Sequence, residues 1–278
     1  MKVSSATRLF AVVGDPVAHS LSPLIHNRWL EEAGVDAVYA ALRLRSDTPA
    51  ADLRAIARTG FSGLNVTLPH KGAALAAASG ASAAAQRIGA ANTLTLDPGV
   101  GWLADNTDVD GLSLALHHSA GPDVGNRKVL LIGAGGAARA AVDLLGRSGS
   151  DLSIVNRSLA NARTLVAELA PDARAHGMDD FTMLAREADL IINSASLGHA
   201  DAGLPSLPPG KGRVFLDLSY GAAARDALAG ARDAGWTAHD GLRMLVGQAA
   251  ATFFLWFNFR PDVEGALAAC REKIGGPA

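Results

Sequence analysis

Short apolar segments alternate with longer amphipathic ones along most of the chain, and this alternation predicts an α/β architecture of parallel strands connected by helices. The apolar segments have the length of buried strands, and they are Leu9–Val13, Val38–Leu44, Phe61–Thr67, Lys128–Ile132, Asp151–Val155, Leu190–Asn193 and Val214–Leu218. The longer stretches have helical periodicity, and they are Pro23–Ala33, Thr48–Arg58, Gly72–Gln86, Val109–His118, Gly136–Arg147, Leu159–Leu169, Ala222–Ala234, Gly241–Phe257 and Asp262–Ile274.

Two places in the first third depart from this simple alternation. The segments Ala91–Leu96 and Val100–Ala104 flank an Asp-Pro-Gly turn at 97–99, which predicts a hairpin. The stretch Ala73–Ala85 is so rich in alanine that it resembles a low-complexity segment. Because alanine is the best helix former, a pair of closely packed helices is the favoured interpretation.

Glycine and proline mark two further breaks. The loop-forming residues of Gly121–Asn126 predict a boundary between two domains, and the segment Gly198–Gly212 predicts a long loop. A chain of 278 residues is long enough for one or two domains.

Composition narrows the functional class. Of all residues 49% are hydrophobic and 19% are charged, with a formal net charge of -2, which is typical of a globular protein and argues against a nucleic-acid partner. The single cysteine, Cys270, excludes an intramolecular disulfide and a cysteine-rich metal site. No apolar run approaches the roughly 20 residues of a membrane span, and the first residues do not resemble a signal peptide. We therefore expect a cytoplasmic protein without a membrane partner.

A glycine-rich turn follows the strand at 128–132. Its sequence, Gly133-Ala134-Gly135-Gly136-Ala137-Ala138, has the spacing G-x-G-x-x-A and stands at the start of a helix. A pyrophosphate needs a backbone without side chains and free N–H groups at a helix N-terminus, and this arrangement supplies both. The turn predicts a Rossmann-type dinucleotide site, and the alternative is a tight turn that uses glycine for geometry alone.

The end of the next strand bears on the choice of cofactor. NAD-binding proteins usually have Asp or Glu at this point, but this chain has Asn156-Arg157-Ser158. The guanidinium of Arg157 suits a 2′-phosphate, and Asn156 can bind the ribose. NADP is therefore favoured over NAD, with a solvated surface charge as the alternative for Arg157.

Polar side chains also gather where strands of the first domain meet the following helices. Lys71 stands in the first turn of a helix, where the helix dipole disfavours a cation, so a functional role is favoured. Ser22 before Pro23 and Asp108 can each be read as a helix N-cap instead. Taken together, these junctions predict a polar ligand site that includes Ser20, Ser22, Thr67, Lys71, Asn92 and Asp108.

Other chemistries fit poorly. Ser62 lacks the glycine spacing of a hydrolase nucleophile, and the histidines do not have a recognised metal spacing. We expect no metal site.

Six motifs extend over nearly the whole chain, and they are Gly14-x-Pro16-x-x-His19-Ser20-x-Ser22-Pro23, Asn65-Val66-Thr67-x-Pro69-x-Lys71, Gly89-Ala90-x-Asn92-Thr93, Asn106-Thr107-Asp108-x-x-Gly111, the turn at Gly133 and Asp240-Gly241-x-x-Met244-Leu245-x-x-Gln248-Ala249-Ala250. Taken together, these motifs resemble the shikimate and quinate dehydrogenase family.

The resemblance implies an α/β fold of two domains with a cleft between them. A substrate-binding domain would comprise residues 1–107 and 240–278, and a Rossmann-type NADP-binding domain residues 108–239. The implied reaction is the reversible reduction of 3-dehydroshikimate to shikimate by NADPH, in chorismate and aromatic amino acid biosynthesis, with Lys71 and Asp108 as the acid–base pair.

The resemblance also implies roles for individual residues. The implied substrate contacts are Ser20, Ser22, Thr67, Asn92, Asp108, Tyr220 and Gln248. The implied NADP contacts are Gly133, Ala134, Gly135, Gly136, Ala137, Asn156, Arg157, Ser158, Leu218 and Gly241.

Three questions stay open at this point. Quinate or aminoshikimate is an alternative substrate, and a non-catalytic NADP sensor is an alternative of a different class. Asn161 stands where the family often has a second basic residue, so the strength of the preference for NADP over NAD is open as well. The chain is expected to be a monomer or a homodimer.

Overall fold

The computed structural model describes residues 3–195 and 204–275. Backbone contacts divide the chain into two compact units, one built from residues up to Gly111 together with Leu245–Lys273, the other from Leu112–Met244. The limits of the functional domains, expected after residues 107 and 239, stay a prediction. Part of the loop expected at Gly198–Gly212 lies outside the described residues.

The first unit contains a six-stranded sheet in the order β2-β1-β3-β5-β6-β4. Its strands are β1 (Arg8–Gly14), β2 (Ala37–Arg43), β3 (Phe61–Val66), β4 (Gly80–Ala81), β5 (Thr93–Asp97) and β6 (Gly101–Asp105). β1 runs parallel to both β2 and β3, whereas β5 is antiparallel to β3 and to β6. The sheet is mixed rather than wholly parallel, because the predicted hairpin across 97–99 forms and reverses the chain.

Helices connect these strands and end the chain. Within or beginning in the first unit they are α1 (Ser22–Glu32), α2 (Pro49–Ile56), α3 (Lys71–Ala77), α4 (Ala83–Ile88) and α5 (Asp108–Ala120), with α10 (Leu242–Phe257) and α11 (Val263–Ile274) near the C-terminus. The alanine-rich stretch forms two helices, as favoured, but the short strand β4 between them was not predicted. β4 pairs with β6 over two residues, too few to leave a periodic pattern in the sequence.

The interpretation of Ser22 as an N-cap is wrong. α1 begins at Ser22 itself, and the capping position is Leu21, whose side chain makes no capping hydrogen bond. The hydroxyl of Ser20 instead accepts a hydrogen bond from the backbone N–H of Ser22 at 3.2 Å. The acceptor for this N–H group at the start of α1 is therefore the hydroxyl of Ser20, and the hydroxyl of Ser22 is not the cap.

A histidine lies within the aromatic core of the first unit. His26 is 1% exposed and stacks on Tyr39 with ring centroids 4.2 Å apart, and it also contacts Trp29 and Phe253. Among the residues that the structure describes, neither of its ring nitrogens has a hydrogen-bond partner. Burial disfavours the charged imidazolium and lowers the pKa of His26 to about 3, so this side chain is neutral at physiological pH.

The second unit contains a wholly parallel six-stranded sheet in the order β12-β11-β10-β7-β8-β9. Its strands are β7 (Lys128–Ile132), β8 (Asp151–Val155), β9 (Arg174–His176), β10 (Leu190–Asn193), β11 (Val214–Asp217) and β12 (Thr237–His239). The strand order reverses between β7 and β10, which is the switch point of a doubly wound sheet. The predicted Rossmann-type topology is confirmed.

The helices of the second unit are α6 (Gly136–Gly146), α7 (Leu159–Leu169), α8 (Phe181–Glu187) and α9 (Arg225–Asp233). The helix predicted from Ala222 begins with a 3-10 turn at Gly221–Ala224 and becomes α-helical at Arg225. Within the ranges described, no helix is long and apolar enough to cross a membrane.

Candidate functional site

The topology of the first sheet brings several strand ends to one edge. β1 and β3 are parallel neighbours, so their carboxyl ends meet there, and Lys71 follows β3 as the first residue of α3. β5 is antiparallel, so its first residue, Thr93, pairs with Asn65 near the end of β3. β6 ends opposite Thr93 and leads into α5, which begins at Asp108. Residues from three separate junctions therefore reach one small region.

Lys71 and Asp108 form an ion pair in this region. The ammonium Nζ of Lys71 donates to Oδ2 of Asp108, and the two side chains are only 13% and 6% exposed. Asp108 opens a helix, where the helix dipole favours a carboxylate, whereas the same dipole at the start of α3 disfavours the charge of Lys71. The carboxylate supplies the compensation that Lys71 needs at its position.

Asn92 holds the other oxygen of the carboxylate. Its Nδ2 donates to Oδ1 of Asp108 at 2.9 Å, and its Oδ1 accepts from the backbone N–H of Thr107 at 2.8 Å. That backbone donor identifies which end of the amide is oxygen, so the NH2 group faces Asp108. Nδ2 also lies 3.3 Å from Oε1 of Gln248, which is part of α10.

Four of the predicted site residues are thus brought together by hydrogen bonds: Lys71, Asn92, Asp108 and Gln248. Ser20 and Ser22 lie in the loop after β1 and at the start of α1, and Thr67 follows β3 directly. The part of the chain that the structure describes contains no hydrogen bond from these three side chains to Lys71 or Asp108. Their contact with a substrate stays a prediction.

A buried polar network lies behind Asn92, and sequence reasoning assigned it no role. It consists of Tyr39, Asn65, Thr93, Thr107 and Thr252. Asn65 and Thr93 stand inside motifs that were recognised, but their side chains point to other protein groups. Thr252 was missed because the sequence of α10 is that of an apolar core helix. A hydroxyl in such a helix could have indicated a buried hydrogen-bond partner, since a buried polar group without one is costly.

The glycine-rich turn of the second unit has the backbone geometry that a pyrophosphate requires. Gly133 has a φ of +105°, and a Cβ added there would lie 2.8 Å from Oγ of Ser194, so a side chain is excluded on both grounds. Gly135 is the N-cap residue of α6, and a Cβ added to it would meet no protein atom within 4 Å. The turn therefore leaves open space directly before the first N–H groups of α6, and Ala134, Gly136 and Ala137 complete it.

Asn156, Arg157 and Ser158 follow β8, as predicted. Arg157 is exposed and has no ion-pair partner among the residues described, so its guanidinium is available to a phosphate. Ser158 caps α7, because its hydroxyl accepts from the backbone N–H of Asn161 at 3.3 Å. The amide of Asn156 donates to the backbone oxygen of Ser158 at 3.0 Å, which shapes the same turn.

Leu218 and Gly241 lie side by side at the ends of β11 and β12. A Cβ on Gly241 would come within 2.1 Å of the carbonyl oxygen of Leu218, so only glycine permits this approach. The preceding residue of β11, Asp217, accepts hydrogen bonds from Nδ2 of Asn193 and the N–H of Ser219, and burial raises its pKa. Tyr220 stands just after this turn in the second unit, and its role towards substrate stays a prediction.

Within residues 3–195 and 204–275, no group of three or more His, Cys, Asp or Glu side chains is arranged to hold a metal ion.

Comparison with known proteins assigns both units. Family models match residues 12–94 (shikimate dehydrogenase substrate binding domain), 115–200 (shikimate / quinate 5-dehydrogenase) and 241–271 (shikimate 5′-dehydrogenase C-terminal domain). A curated shikimate dehydrogenase (NADP(+)) from Hyphomonas neptunium is 45% identical over 268 residues, which are 96% of this chain and 98% of the relative.

Solved structures agree with this assignment. The shikimate dehydrogenase of Aquifex aeolicus matches with a TM-score of 0.88 at 27% identity, covering 97% of this chain and 100% of that one. The shikimate 5-dehydrogenase of Thermus thermophilus in complex with NADP(H) and shikimate matches with a TM-score of 0.81 at 34% identity, over 96% and 99% of the two chains. The chain therefore belongs to the shikimate dehydrogenase family, as the resemblance of its motifs predicts.

Proposed function

We propose that this chain catalyses the reversible, NADP-dependent reduction of 3-dehydroshikimate to shikimate, a step of chorismate and aromatic amino acid biosynthesis. The observation that carries the proposal is the buried Lys71–Asp108 pair at the edge of the first sheet, held in place by Asn92. The family membership supports it, because relatives of nearly full length are named shikimate dehydrogenase (NADP(+)).

The polar side chains at this edge suit a ring that carries hydroxyls and a carboxylate. Hydroxyl and amide groups can both donate and accept hydrogen bonds, so they match a polyol acid better than an apolar substrate. We assign substrate contacts to Ser20, Ser22, Thr67, Asn92, Asp108, Tyr220 and Gln248. Each contact is a proposal that alanine variants, assayed for KM with shikimate, can test.

The second unit would hold the cofactor. The pyrophosphate fits the turn from Gly133 to Ala137, because Gly135 leaves its backbone open and α6 begins there. Arg157 would bind the 2′-phosphate and Asn156 the ribose, and Ser158, Leu218 and Gly241 would complete the NADP contacts. Bound NADPH would supply the hydride that reduces the ring carbonyl.

The chain's own catalytic task is to move a proton. Reduction of a carbonyl leaves an alkoxide oxygen, which needs a proton donor within hydrogen-bonding reach. The ammonium of Lys71 donates that proton from Nζ, and in the oxidation direction the amine accepts it from the substrate hydroxyl. The carboxylate of Asp108 orients Lys71 through their ion pair.

The proposal places the protein in the cytoplasm, as a monomer or a homodimer. The free thiol of Cys270 fits a reducing compartment, since it is fully buried and the sequence has no second cysteine to pair with it.

A steady-state assay of shikimate and quinate, each with NADP+ and NAD+, tests the proposal directly. Reduced nicotinamide should accumulate fastest with shikimate and NADP+. A higher kcat/KM for quinate than for shikimate would show that the chain is a quinate dehydrogenase. Tight NADP+ binding without turnover of either acid would favour a non-catalytic sensor instead.

A further inference from the structure

The hydroxyl of Thr252 joins three segments of the first unit that are far apart in sequence. Thr252 lies in α10 and is 0% exposed. Its Oγ1 is 3.2 Å from Nδ2 of Asn65, 2.9 Å from Oγ1 of Thr93 and 3.0 Å from Oγ1 of Thr107. A hydroxyl has one proton and two lone pairs, so three partners satisfy it completely.

The same hydroxyl is one step removed from the amide that holds Asp108. The hydroxyl of Thr93 donates to Oδ1 of Asn92 at 3.0 Å, and Oγ1 of Thr107 lies 3.2 Å from the same oxygen. Oγ1 of Thr107 also lies 3.0 Å from Nδ2 of the same side chain, so it is placed between the two ends of the amide. The hydroxyl proton of Thr107 can go to Oδ1 of Asn92 or to Oγ1 of Thr252, and this choice decides which end of the Asn92 amide Thr107 binds.

The hydrogen bonds of the network can be followed from donor to acceptor, from Tyr39 to Asn92. The phenol of Tyr39 donates to Oδ1 of Asn65 at 2.8 Å, which turns the amide protons of Asn65 towards Thr93, Thr252 and the backbone oxygen of Asn92. Those protons leave the hydroxyl of Thr252 free to donate to Thr93, and the hydroxyl of Thr93 free to donate to Oδ1 of Asn92. With Oδ1 of Asn92 supplied in this way, its NH2 group is committed to Asp108.

Thr252 and Gln248 approach Asn92 from the same helix. They are four residues apart in α10 and so lie on one face of it, one turn from each other. Gln248 lies 3.3 Å from Nδ2 of Asn92, while Thr252 acts on the neighbouring hydroxyls. Helix α10 thus contributes to the orientation of Asn92, a side chain that a strand junction supplies.

We propose that Thr252 is a positioning residue for the Lys71–Asp108 pair, acting through Thr93, Thr107 and Asn92. The proposal rests on the proposed acid–base function of that pair. Loss of the Thr252 oxygen would leave the amide of Asn92 less firmly oriented, although the backbone N–H of Thr107 still holds its oxygen. The effect is therefore partial, because one buried hydrogen-bonding group is worth up to about a factor of ten.

Three substitutions test this role. Thr252→Val keeps the shape of the side chain but removes the oxygen, and it should lower kcat for shikimate oxidation about tenfold while KM changes less than about threefold. Thr252→Ser restores the oxygen and should return kcat to within about twofold of the parent. Thr95→Val is the matched control, since Thr95 also links β5 to α10, through Nε1 of Trp256, but has no contact with Asn92. It should lower the melting temperature and leave kcat unchanged.

A double-mutant cycle with Asn92→Ala separates positioning from packing. If Thr252 acts through Asn92, Thr252→Val should cost almost nothing further in kcat in the Asn92→Ala background. A full, additive loss there would overturn the proposal, as would a folded Thr252→Val enzyme with parental kcat, or equal losses in Thr252→Val and Thr95→Val.

The parent and Lys71→Ala, assayed alongside, keep the two proposals distinguishable. A parent that turns over shikimate while Lys71→Ala is equally active contradicts the acid–base function itself. A parent and a Lys71→Ala variant that behave as expected, with Thr252→Val unchanged, contradict only the positioning role. Should Thr252→Val not fold, the comparison of Thr252→Ser with Thr252→Ala decides, with a deficit expected in the alanine variant alone.

Discussion

Nδ2 of Asn92 lies 2.9 Å from Oδ1 of Asp108, while Oδ2 of the same carboxylate takes the ammonium of Lys71. Each carboxylate oxygen therefore has a donor of its own, and the carboxylate is fixed between an amide and a cation. This arrangement aims Lys71 without requiring any contact from the second unit. A buried ion pair is by itself a weak source of stability, and here its consequence is a defined orientation of the Lys71 ammonium.

Removal of the amide should loosen that orientation. Asn92→Ala is expected to lower kcat/KM for shikimate by about 10- to 100-fold, because a hydrogen bond to a charged, buried carboxylate is lost. Asn27→Ala is the control, since its amide also bonds backbone carbonyls of the first unit, those of Pro23 and Tyr39, but has no contact with Asp108. It should reduce stability and spare kcat, and a similar kinetic loss in both variants would contradict the assignment.

Arg157 should decide the preference for NADP. Its guanidinium is exposed after β8 and has no ion-pair partner within the described ranges. Arg157→Ala is expected to raise KM for NADP+ by about 10- to 100-fold and to leave KM for NAD+ within about twofold, because the charge-assisted bonds to the 2′-phosphate are lost.

Arg163, exposed on α7, provides the matched control for Arg157. Arg163→Ala removes an equal charge from the same part of the chain and should not alter the ratio of the two KM values. An Arg157→Ala enzyme that still prefers NADP+ as strongly as the parent would show that another group reads the phosphate. Asn161→Arg should widen the preference, since it adds a second cation four residues after Arg157.

His26 should make the folded state sensitive to acid. The unfolded chain takes up a proton at this side chain below about pH 6.5, but the folded chain does so only below about pH 3, because burial lowers its pKa to about 3. Between these values the unfolded state binds more protons, so stability falls as the pH falls, by up to about 1.4 kcal/mol per pH unit from this group alone.

Urea unfolding at pH 7 and pH 4.5 checks this prediction. His26→Phe keeps an aromatic ring against Tyr39 and removes the titrating group, so it should lose less stability than the parent between the two pH values. Trp29→Phe disturbs the same aromatic cluster but keeps His26, and it should show the parental dependence on pH. Equal slopes for the parent and His26→Phe would contradict the prediction, and the carboxylates that also titrate cancel in the comparison.

Much of the site could be predicted because parallel strands bring their carboxyl ends to one edge of a sheet. That rule places Lys71 near the end of β3, and the glycine turn after β7 follows the same logic. The sequence also favoured a functional role for Lys71 on local grounds alone, since the helix dipole gives a lysine no reason to stand there. The structure supplies the reason in the carboxylate of Asp108.

Other features could not be predicted, for identifiable physical reasons. The strands β4, β9 and β12 have two or three residues, which is too short for any periodicity to appear. The role of Thr252 depends on contacts with residues at least 145 positions away in sequence, and no local pattern contains that information. The alternative interpretation of Ser22 as an N-cap was wrong, because a serine before proline fits that position but the hydroxyl of Ser20 accepts from the backbone N–H of Ser22 instead.

The central claim is that Lys71 moves the proton in an NADP-dependent oxidation of shikimate, and single-turnover and steady-state rates of Lys71→Ala test it most directly. The parent enzyme should be active with shikimate and NADP+, and the Lys71→Ala variant should have a kcat that is lower by about 10² to 10⁴ with nearly parental NADP+ binding. A folded Lys71→Ala variant with parental kcat would contradict the account.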